Sequence, residues 1–558
     1  MNTKLTAVDL FSGAGGLSLG FLQTGQIEIT VAVENNKSAQ ETYLINHPSV
    51  KMYGDIRDVD YNEIFNECRK KGAEKINIVF GGPPCQGFSN ANRQKAALIS
   101  ANNQLVKEFV KAIERLNPDG FVMENVKELK SNKHKFFLSS QDEQEVIELQ
   151  LSPVEEKVSL GEVTTLKSEL ITFLNDQFKI SITNYTISDK GLFSKLSHLY
   201  RKKKEAEIYL QKTRTAIKKF YNTWEEQHLL YWSPEYKRIW MHLKDLFQDE
   251  GSSIEEILNC LNKVISIQQI IMRVGEIELN GLKVDQFFSE EEEILVNLKT
   301  YIVLDYLKAK FKSLGYKINE DQLILNSANF GAPQQRERLF LIGVKNELVE
   351  NIEIKLPEPL IKDSECFYTV KDAIEDLEDV PPFVLMEDDQ PKDKNDIENA
   401  NPLLKYLQAG IKNVKNHIMT DTRETALQRF RMLQPGQNFH HLDDSYKETY
   451  SNPQRTQNTV YLRLNYNTPS GTVLNVRKSM WIHPVKNRAI SIREAARLQT
   501  FPDTFVFAGA KDAQYQQVGN AVPPLLGRAV AEQLLYYLGR SAETSLRDLI
   551  TSYETVNL

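Results

Sequence analysis

The chain has 558 residues, 41% hydrophobic and 26% charged, with a net charge of −7. That length exceeds a usual single domain, and that apolar content supports a sizeable core, which excludes disorder as the main theme. No run of about 18 apolar residues is present, which excludes a spanning helix, and four scattered cysteines (Cys68, Cys85, Cys260, Cys366) exclude a disulfide framework or a cysteine metal cluster.

The elements alternate from the start. Leu5–Leu10 reads as an apolar strand ending beside Asp9, then come the glycine turn Ser12-Gly13-Ala14-Gly15-Gly16 and a helix from about Leu17. Ile29–Glu34 is a second strand ending in an acid. Ile76–Phe80 runs into Gly81-Gly82-Pro83-Pro84-Cys85, and Gly120–Met123 into Glu124-Asn125-Val126. Strands that alternate with helices predict a parallel α/β sheet, whose ligands sit at the carboxyl ends of the strands. Asp9, Glu34, Cys85 and Glu124 all fall there.

Residues 1–130 are therefore expected to form the first part of a catalytic α/β domain. From 131 to 300 the chain turns rich in Glu, Lys and Leu, with helical spacing at Leu192, Leu196, Leu199 and at Ile254, Ile257, Leu258, Leu261. A mainly helical insertion is expected there, either a solvated appendage or an arm that contacts DNA or a partner protein. The α/β pattern resumes over 301–345, with a strand at Leu339–Val344 after Gln334-Gln335-Arg336-Glu337-Arg338. Residues 346–379 read as an acidic connector. A smaller, partly β domain is expected over 380–470, with short runs at Thr459–Leu464 and Gly471–Val476. Residues 471–558 return to helices at Ser491–Gln499 and Pro523–Leu538. Charge is segregated: residues 401–500 hold 15 Lys and Arg against 6 Asp and Glu, whereas 344–400 hold 6 against 17. A local basic face is what phosphate binding requires, because each neutralised phosphate releases counterions.

Residue types at the strand ends suggest chemistry. A glycine-rich strand-to-helix turn lets a ligand approach the backbone closely. Glu34, one strand later, suits two ribose hydroxyls, and Asp55 an adenine amino group. No P-loop lysine follows the turn, so an adenosine-bearing cofactor fits better than a triphosphate. Pro83 and Pro84 stiffen the loop before Cys85, presenting its thiol rather than packing it away.

Taken in order, Asp9 to Gly16, Gly82-Pro83-Pro84-Cys85-Gln86-Gly87-Phe88-Ser89, Glu124-Asn125-Val126, Gln334 to Arg338, and Gln517-Val518-Gly519-Asn520-Ala521-Val522-Pro523 resemble the motif set of the DNA cytosine-C5 methyltransferases. Arg488 through Pro502 resembles the segment that family places before its last motif. The resemblance covers about 1–130, 311–344 and 465–540. It implies a Rossmann-like S-adenosylmethionine-dependent methyltransferase sheet, with a helical insertion and a target-recognition domain over 380–470. It implies a pocket for S-adenosylmethionine lined by Phe11, Gly13, Gly15, Gly16, Glu34, Asn35, Asp55, Ile56, Pro84, Leu105, Asn520 and Ala521. Cys85 would be the nucleophile, Glu124 the acid beside the base, and Arg338, supported by Arg336, a clamp on base or phosphate. DNA contacts would fall to Gln86, Ser89, Arg423, Arg429, Arg431, Arg455 and Arg463. Two departures stand out. Ser100 to Leu105 lacks the Asp and Arg the family often carries there, and the gap from Glu124 to Gln334 is far longer than in compact bacterial members.

The resemblance implies an enzyme of the restriction-modification or phage-defence type, monomeric on double-stranded DNA. With no secretory signal at the N-terminus, it is expected in the bacterial cytoplasm beside the nucleoid, away from membranes and without a metal. Two alternatives make different demands: a tRNA-methylating relative has little recognition domain, and an inactive DNA-binding scaffold would have a damaged site.

Overall fold

A computed structural model describes residues 4–84, 101–177, 182–187, 189–201, 205–222, 230–450 and 452–551. The chain divides into two compact units, the first comprising 1–85, 102–131 and 310–558, the second 86–101 and 132–309.

The first unit begins with β1 (Leu5–Leu10), α1 (Gly16–Leu22), β2 (Ile27–Val33), α2 (Lys37–Asn46), β3 (Lys51–Tyr53), α3 (Tyr61–Lys70), β4 (Ile78–Gly81), α4 (Ala101–Leu116) and β5 (Gly120–Val126). β1, β2, β4 and β5 are buried over most of their length, as parallel strands covered on both faces must be. They lie in the order β5-β4-β1-β2-β3, all parallel. The chain builds outward from β1 to β3, then returns to place β4 on the other side of β1. The strand order therefore reverses between β1 and β4, the crevice where open α/β sheets bind ligands.

The second unit contains β6 (Lys135–Phe137), α5 (Glu143–Glu148), β7 (Val154–Glu162), α6 (Lys167–Gln177), α7 (Lys190–Arg201), α8 (Ala206–Asn222), α9 (Pro234–Gln248), α10 (Ile254–Leu279), β8 (Phe287–Glu290) and β9 (Glu293–Ile302). The expected helices are there, but β9 also pairs antiparallel with β7 along one edge and with β6 and β8 along the other. The insertion is thus a mixed helix-and-sheet body; the alternating apolar residues of Glu293–Ile302 carry a period of two that a search for helical spacing passes over. Buried residues spread over most of the circumference of α10, from Ile257 to Ile277, so it is the core helix of this unit.

The chain then continues through α11 (Val303–Ser313), β10 (Tyr316–Ile318), β11 (Ile324–Asn326) and β12 (Glu337–Lys345). In the first unit β12 runs antiparallel beside β5, with Arg338 opposite Val126 and Phe340 opposite Glu124. The remaining helices are α12 (Val370–Ile374), α13 (Pro402–Gln408), α14 (Glu424–Met432), α15 (Val476–Ser479), α16 (Ile492–Leu498), α17 (Lys511–Asn520), α18 (Pro524–Tyr537) and α19 (Leu546–Thr551). Two sequence expectations change here. The acidic stretch before 380 is no solvated connector, because Val349, Ile354, Leu356, Val370, Ala373 and Ile374 are buried in the main core. Thr459–Leu464 and Gly471–Val476 do not form strands: Arg463 and Ser470 make isolated bridges to Ile482 and Gln334. Around them Phe430, Leu433, Phe439, Leu442, Tyr461 and Ile482 form a small core of their own.

α16 carries a buried charge cluster. Arg497 bonds both Asp376 and Asp503, and Lys394 reaches Asp503 at 2.7 Å; Glu494 holds Arg488 at 2.6 Å. Neutral imidazoles accompany it: His483 Nδ1 accepts from the Val485 and Lys486 amides. Burial holds His47, His417 and His483 at about 4. His47 is the simplest test, since its Nε2 is buried without a hydrogen-bond partner among the described residues and its ring leans on Tyr43 and Phe505. Between pH 6.5 and 4 the unfolded chain takes up a proton at this residue that the folded chain refuses, so stability falls as pH drops through that window and is level above it. His47→Phe removes this contribution. Relative to the parent, the variant should gain about 3 kcal/mol as pH falls from 6.5 to 4. Denaturation at several pH values measures this gain, and a pH-independent difference would contradict it.

Candidate active site

At the β1 end, Phe11, Gly13 and Gly15 all adopt positive φ (58°, 55° and 97°), so the turn is sharp and glycine suits its last position. Beyond it α1 presses against the C-terminal segment. A Cβ on Gly16 would collide with the Val522 carbonyl and meet Ala521 and Phe501, and one on Gly20 would meet the Pro524 carbonyl. Below the turn, buried Asp9 accepts from Ser18 Oγ and, at 3.4 Å, from Tyr43 Oη. Burial raises the Asp9 carboxyl well above its ordinary value, against the pull of Ser18.

Glu34, just past β2, accepts from the Gly13 amide at 2.8 Å through Oε2 and from the Asn36 amide at 2.7 Å through Oε1. This ties the turn to the neighbouring strand end and leaves the carboxylate half-buried. Asp55 follows β3, held by Arg57 Nε at 2.9 Å and Asn35 Nδ2 at 3.4 Å; Arg57 lowers it to about 2. Ile56 beside it is buried. Among the described residues, nothing stands within 4 Å of where Cβ atoms of Gly13 and Gly54 would lie. Leu105 is half-buried on α4, and Asn520 is exposed at the end of α17, accepting from Gln516 at 2.7 Å. Phe11, Gly13, Gly15, Gly16, Glu34, Asn35, Asp55 and Ile56 thus occupy adjacent strand ends, and Ala521 touches Gly16.

The second cluster lies at the ends of β4 and β5. Asn125 Nδ2 donates to the Pro83 carbonyl at 2.9 Å, pinning the loop that leads through half-buried Pro84 toward Cys85. Cys85, Gln86 and Ser89 lie outside the described residues. Glu124 packs its Oε2 over Gly82, where a Cβ would come within 2.6 Å, and its Oε1 accepts from Arg338 Nε at 3.0 Å. Both side chains keep a little exposure, 12% and 14%. Burial pushes the Glu124 carboxyl above its ordinary value despite the opposing pull of Arg338 and Arg336. Such a carboxyl sits nearer to holding a proton than a solvated one.

Three expected site residues need correction. Arg336 is fully buried and donates to the Val473 carbonyl at 2.8 Å and the Gly519 carbonyl at 3.0 Å, so it fastens the late segments rather than clamping a ligand. Arg463 is spent on the carbonyls of Phe430, Leu433 and His483 and on Asn487. Arg429 is likewise buried, donating to the Tyr446 carbonyl, Tyr461 and Thr449. Neither is placed as a DNA contact, because both guanidiniums are buried and bonded within the protein. Of the 15 basic residues in 401–500, four (Arg429, Arg463, Arg493 and Arg497) are buried, so the basic excess there overstates the surface charge. Arg423, Arg431 and Arg455 remain exposed, with Arg431 paired to Glu424 at 2.6 Å.

Sequence reasoning missed the residues that hold the parts together. Gln334 reaches Leu498, Gln499 and Val473, and Gln499 reaches the Val518 carbonyl at 2.7 Å. Ser18 and Tyr43 brace Asp9. The only available signal was the position of Gln334 and Gln499 within quoted motifs.

A family model of C-5 cytosine-specific DNA methylases matches residues 5–151 and 281–536. The type II methyltransferase M.DdeI of Desulfomicrobium norvegicum is 24% identical over 548 residues, 96% of this chain and 89% of that protein. The type II methyltransferase M1.HphI of Haemophilus parahaemolyticus is also 24% identical, over 95% and 87%. Among solved structures, a prophage-encoded E. coli protein described as a DNA modification methyltransferase aligns with TM-score 0.53 at 19% identity, covering 96% of this chain and 100% of that one. That likeness supports the mixed α/β fold.

The two neighbouring arginines make a direct test. Arg336→Met strands two buried carbonyls and should cost about 2–4 kcal/mol of stability, whereas Arg338→Met, at the rim, should cost under about 1 kcal/mol. Thermal denaturation of both variants checks this, and equal losses would refute the assigned roles.

Proposed function

Since the chain belongs to the C-5 cytosine-specific DNA methylase family and is a DNA (cytosine-5-)-methyltransferase, we propose that it methylates cytosine within a specific duplex sequence through a covalent adduct between Cys85 and C6 of a flipped-out base. The observation that carries this reading is the Glu124–Arg338 pair beside the pinned Pro83-Pro84 loop. It sets an acid of raised proton affinity and a charged donor beside Pro83 and Pro84, the two residues that precede Cys85 in the sequence.

Cytosine C5 is a weak nucleophile because the ring delocalises its electrons. Addition of the Cys85 thiolate at C6 makes C5 enamine-like and splits one hard step into easier ones. Glu124, protonated at that moment, hydrogen-bonds N3 and offsets the charge that develops there. Arg338 donates to the base carbonyl. Once C5 has taken the methyl, water accepts the C5 proton, and the electron pair it leaves breaks the C6–S bond to return the thiolate. None of these atoms is accessible inside a stacked duplex, so the base leaves the helix at a cost of a few kcal/mol. The residues present fit S-adenosylmethionine: Glu34 at the end of β2 suits the ribose hydroxyls, with Asp55 beyond it and, among the described residues, nothing crowding Gly13 or Gly54. When bound, that group supplies the methyl on an electrophilic sulfonium. Exposed Arg423 and Arg455 suit phosphates or base edges of duplex DNA, and the similarity to type II methyltransferases favours a restriction-modification setting in the cell interior.

Bisulfite sequencing of DNA from a host expressing the chain should show protection at cytosines in one sequence context. A duplex carrying 5-fluorocytosine at that site should trap a stable protein–DNA conjugate. Cys85→Ser should abolish both the conjugate and methyl transfer, and Glu124→Gln should slow transfer by about 10²–10⁴-fold. Conjugate formation by Cys85→Ser would overturn the covalent assignment. Glu34→Ala should weaken S-adenosylmethionine binding by roughly 10- to 100-fold by titration calorimetry, since charge-assisted hydrogen bonds are lost; unchanged affinity would remove Glu34 from the pocket.

A further inference from the structure

The family match omits residues 152–280, which contain α6 to α10, so the body of the second unit lies outside the part of the chain that the family model describes. Its charge is sorted by element. Residues 190–248, spanning α7, α8 and α9, contain 13 Lys and Arg against 6 Asp and Glu. The flanking stretches are the reverse: 141–177 contain 2 against 9, and 249–300 contain 4 against 11. Packing separates part of this pattern: Glu290–Glu293 go with the sheet, while Glu250 and Glu256 stand beside α8 and α9. α10 is the core helix. Ile270 and Arg273 meet β7, where Gly161 leaves room, while Cys260 and Gln268, on a different face of α10, meet α9 at Ile239 and Tyr236. The sheet and its acidic turn at Glu290–Glu293 therefore stand on one side of the core helix, with α7, α8 and α9 on another.

We infer that α7, α8 and α9 form a second duplex-binding surface that grips the phosphate backbone independently of sequence. The helices offer the right groups. Lys212 on α8 is exposed, Lys237 and Lys244 share one stripe of α9 at seven-residue spacing, and Lys190 and Arg201 are exposed at the two ends of α7. Some neighbouring charge is neutralised internally, Arg238 by Glu235 at 2.5 Å and Lys218 by Glu250 at 3.2 Å. The surplus remains. Phosphate contacts of this kind add affinity without reading bases, because their free energy comes from counterion release. A chain of net charge −7 that must hold a polyanion gains most from concentrating its cations on one layer. The occupant is taken to be DNA because the proposed substrate is already a duplex, and to that extent this inference rests on the function proposed above.

The test uses the full chain with Lys212, Lys237 and Lys244 changed to Glu, alongside a control with Glu155, Glu291 and Glu292 changed to Lys on the sheet side. Duplex binding is titrated from 50 to 300 mM salt, and methyl incorporation is followed at saturating DNA. The helix variant should bind on the order of tenfold more weakly, and its log–log salt slope should fall by about 2–3. Incorporation at saturation and S-adenosylmethionine binding should remain intact, which excludes misfolding. An unchanged slope with intact incorporation overturns the inference and leaves the helices to an acidic protein surface. A control that shifts binding as much as the helix variant also overturns it, because bulk charge would then be the cause. Absence of incorporation by the parent chain would instead remove the premise.

Discussion

The structure depends on a contact with no room to spare. Gly16 stands so close to the Val522 carbonyl that a single methyl group cannot enter, and Gly20 is equally tight against Pro524. The first helix of the sheet is thereby seated on the last segment of the chain, and the turn that ends in Gly15 takes its position from that seat. Overpacked cores cannot be accommodated by small shifts when the obstructing atoms are backbone. The late segments are in turn fastened to β12 by Arg336, whose two terminal nitrogens bond the Val473 and Gly519 carbonyls, and by Gln334 and Gln499. A ligand site assembled from residues near 11, 34, 124, 338 and 521 is therefore held by a set of buried polar bonds, each of which is costly to leave unsatisfied.

The two carboxylates, Glu34 just past β2 and Glu124 in β5, sit in different surroundings. Glu34 accepts two backbone amides and keeps one side toward solvent. Glu124 is more enclosed, and burial outweighs its arginine neighbours. The same functional group thus accepts backbone hydrogen bonds in one place and has its proton affinity raised by burial in the other.

Much of this was legible in the residues. β1, β2, β4, β5 and β12 announced themselves as short apolar runs bounded by glycine, proline or acid, and their carboxyl ends gathered Glu34 and Glu124 without any knowledge of packing. Burial of arginine was not legible. Arg429 and Arg463 have the composition of a DNA-reading stretch and the environment of a core, because the carbonyls and hydroxyls that bond them lie mostly in irregular segments with no pattern of their own. Arg338 lies in β12 and Arg336 just before it, so alternation alone puts the two on the same face, yet only Arg336 meets backbone carbonyls from 137 and 183 residues away. The sheet in the second unit escaped because strong helical spacing on both sides drew attention from a single alternating run. The acidic stretch before residue 380 misled for the opposite reason: its charges are conspicuous, and the sparse Val, Ile and Leu between them carry the packing.

The bond between Thr42 and Gln517 joins residues 475 positions apart, and the seat of α1 on the last segment spans a similar distance. At roughly 5–20 residues per second on a ribosome, something on the order of 25–100 s passes between the emergence of the glycine turn and that of its counterpart. The second unit, whose buried core runs from Leu160 to Leu298, can complete that core in that interval. Nascent β1, β2 and β4 must wait with apolar faces uncovered. A translational pause or truncation after residue 310 would thus release a chain with a finished insertion and an open, sticky sheet, the form most in need of a chaperone.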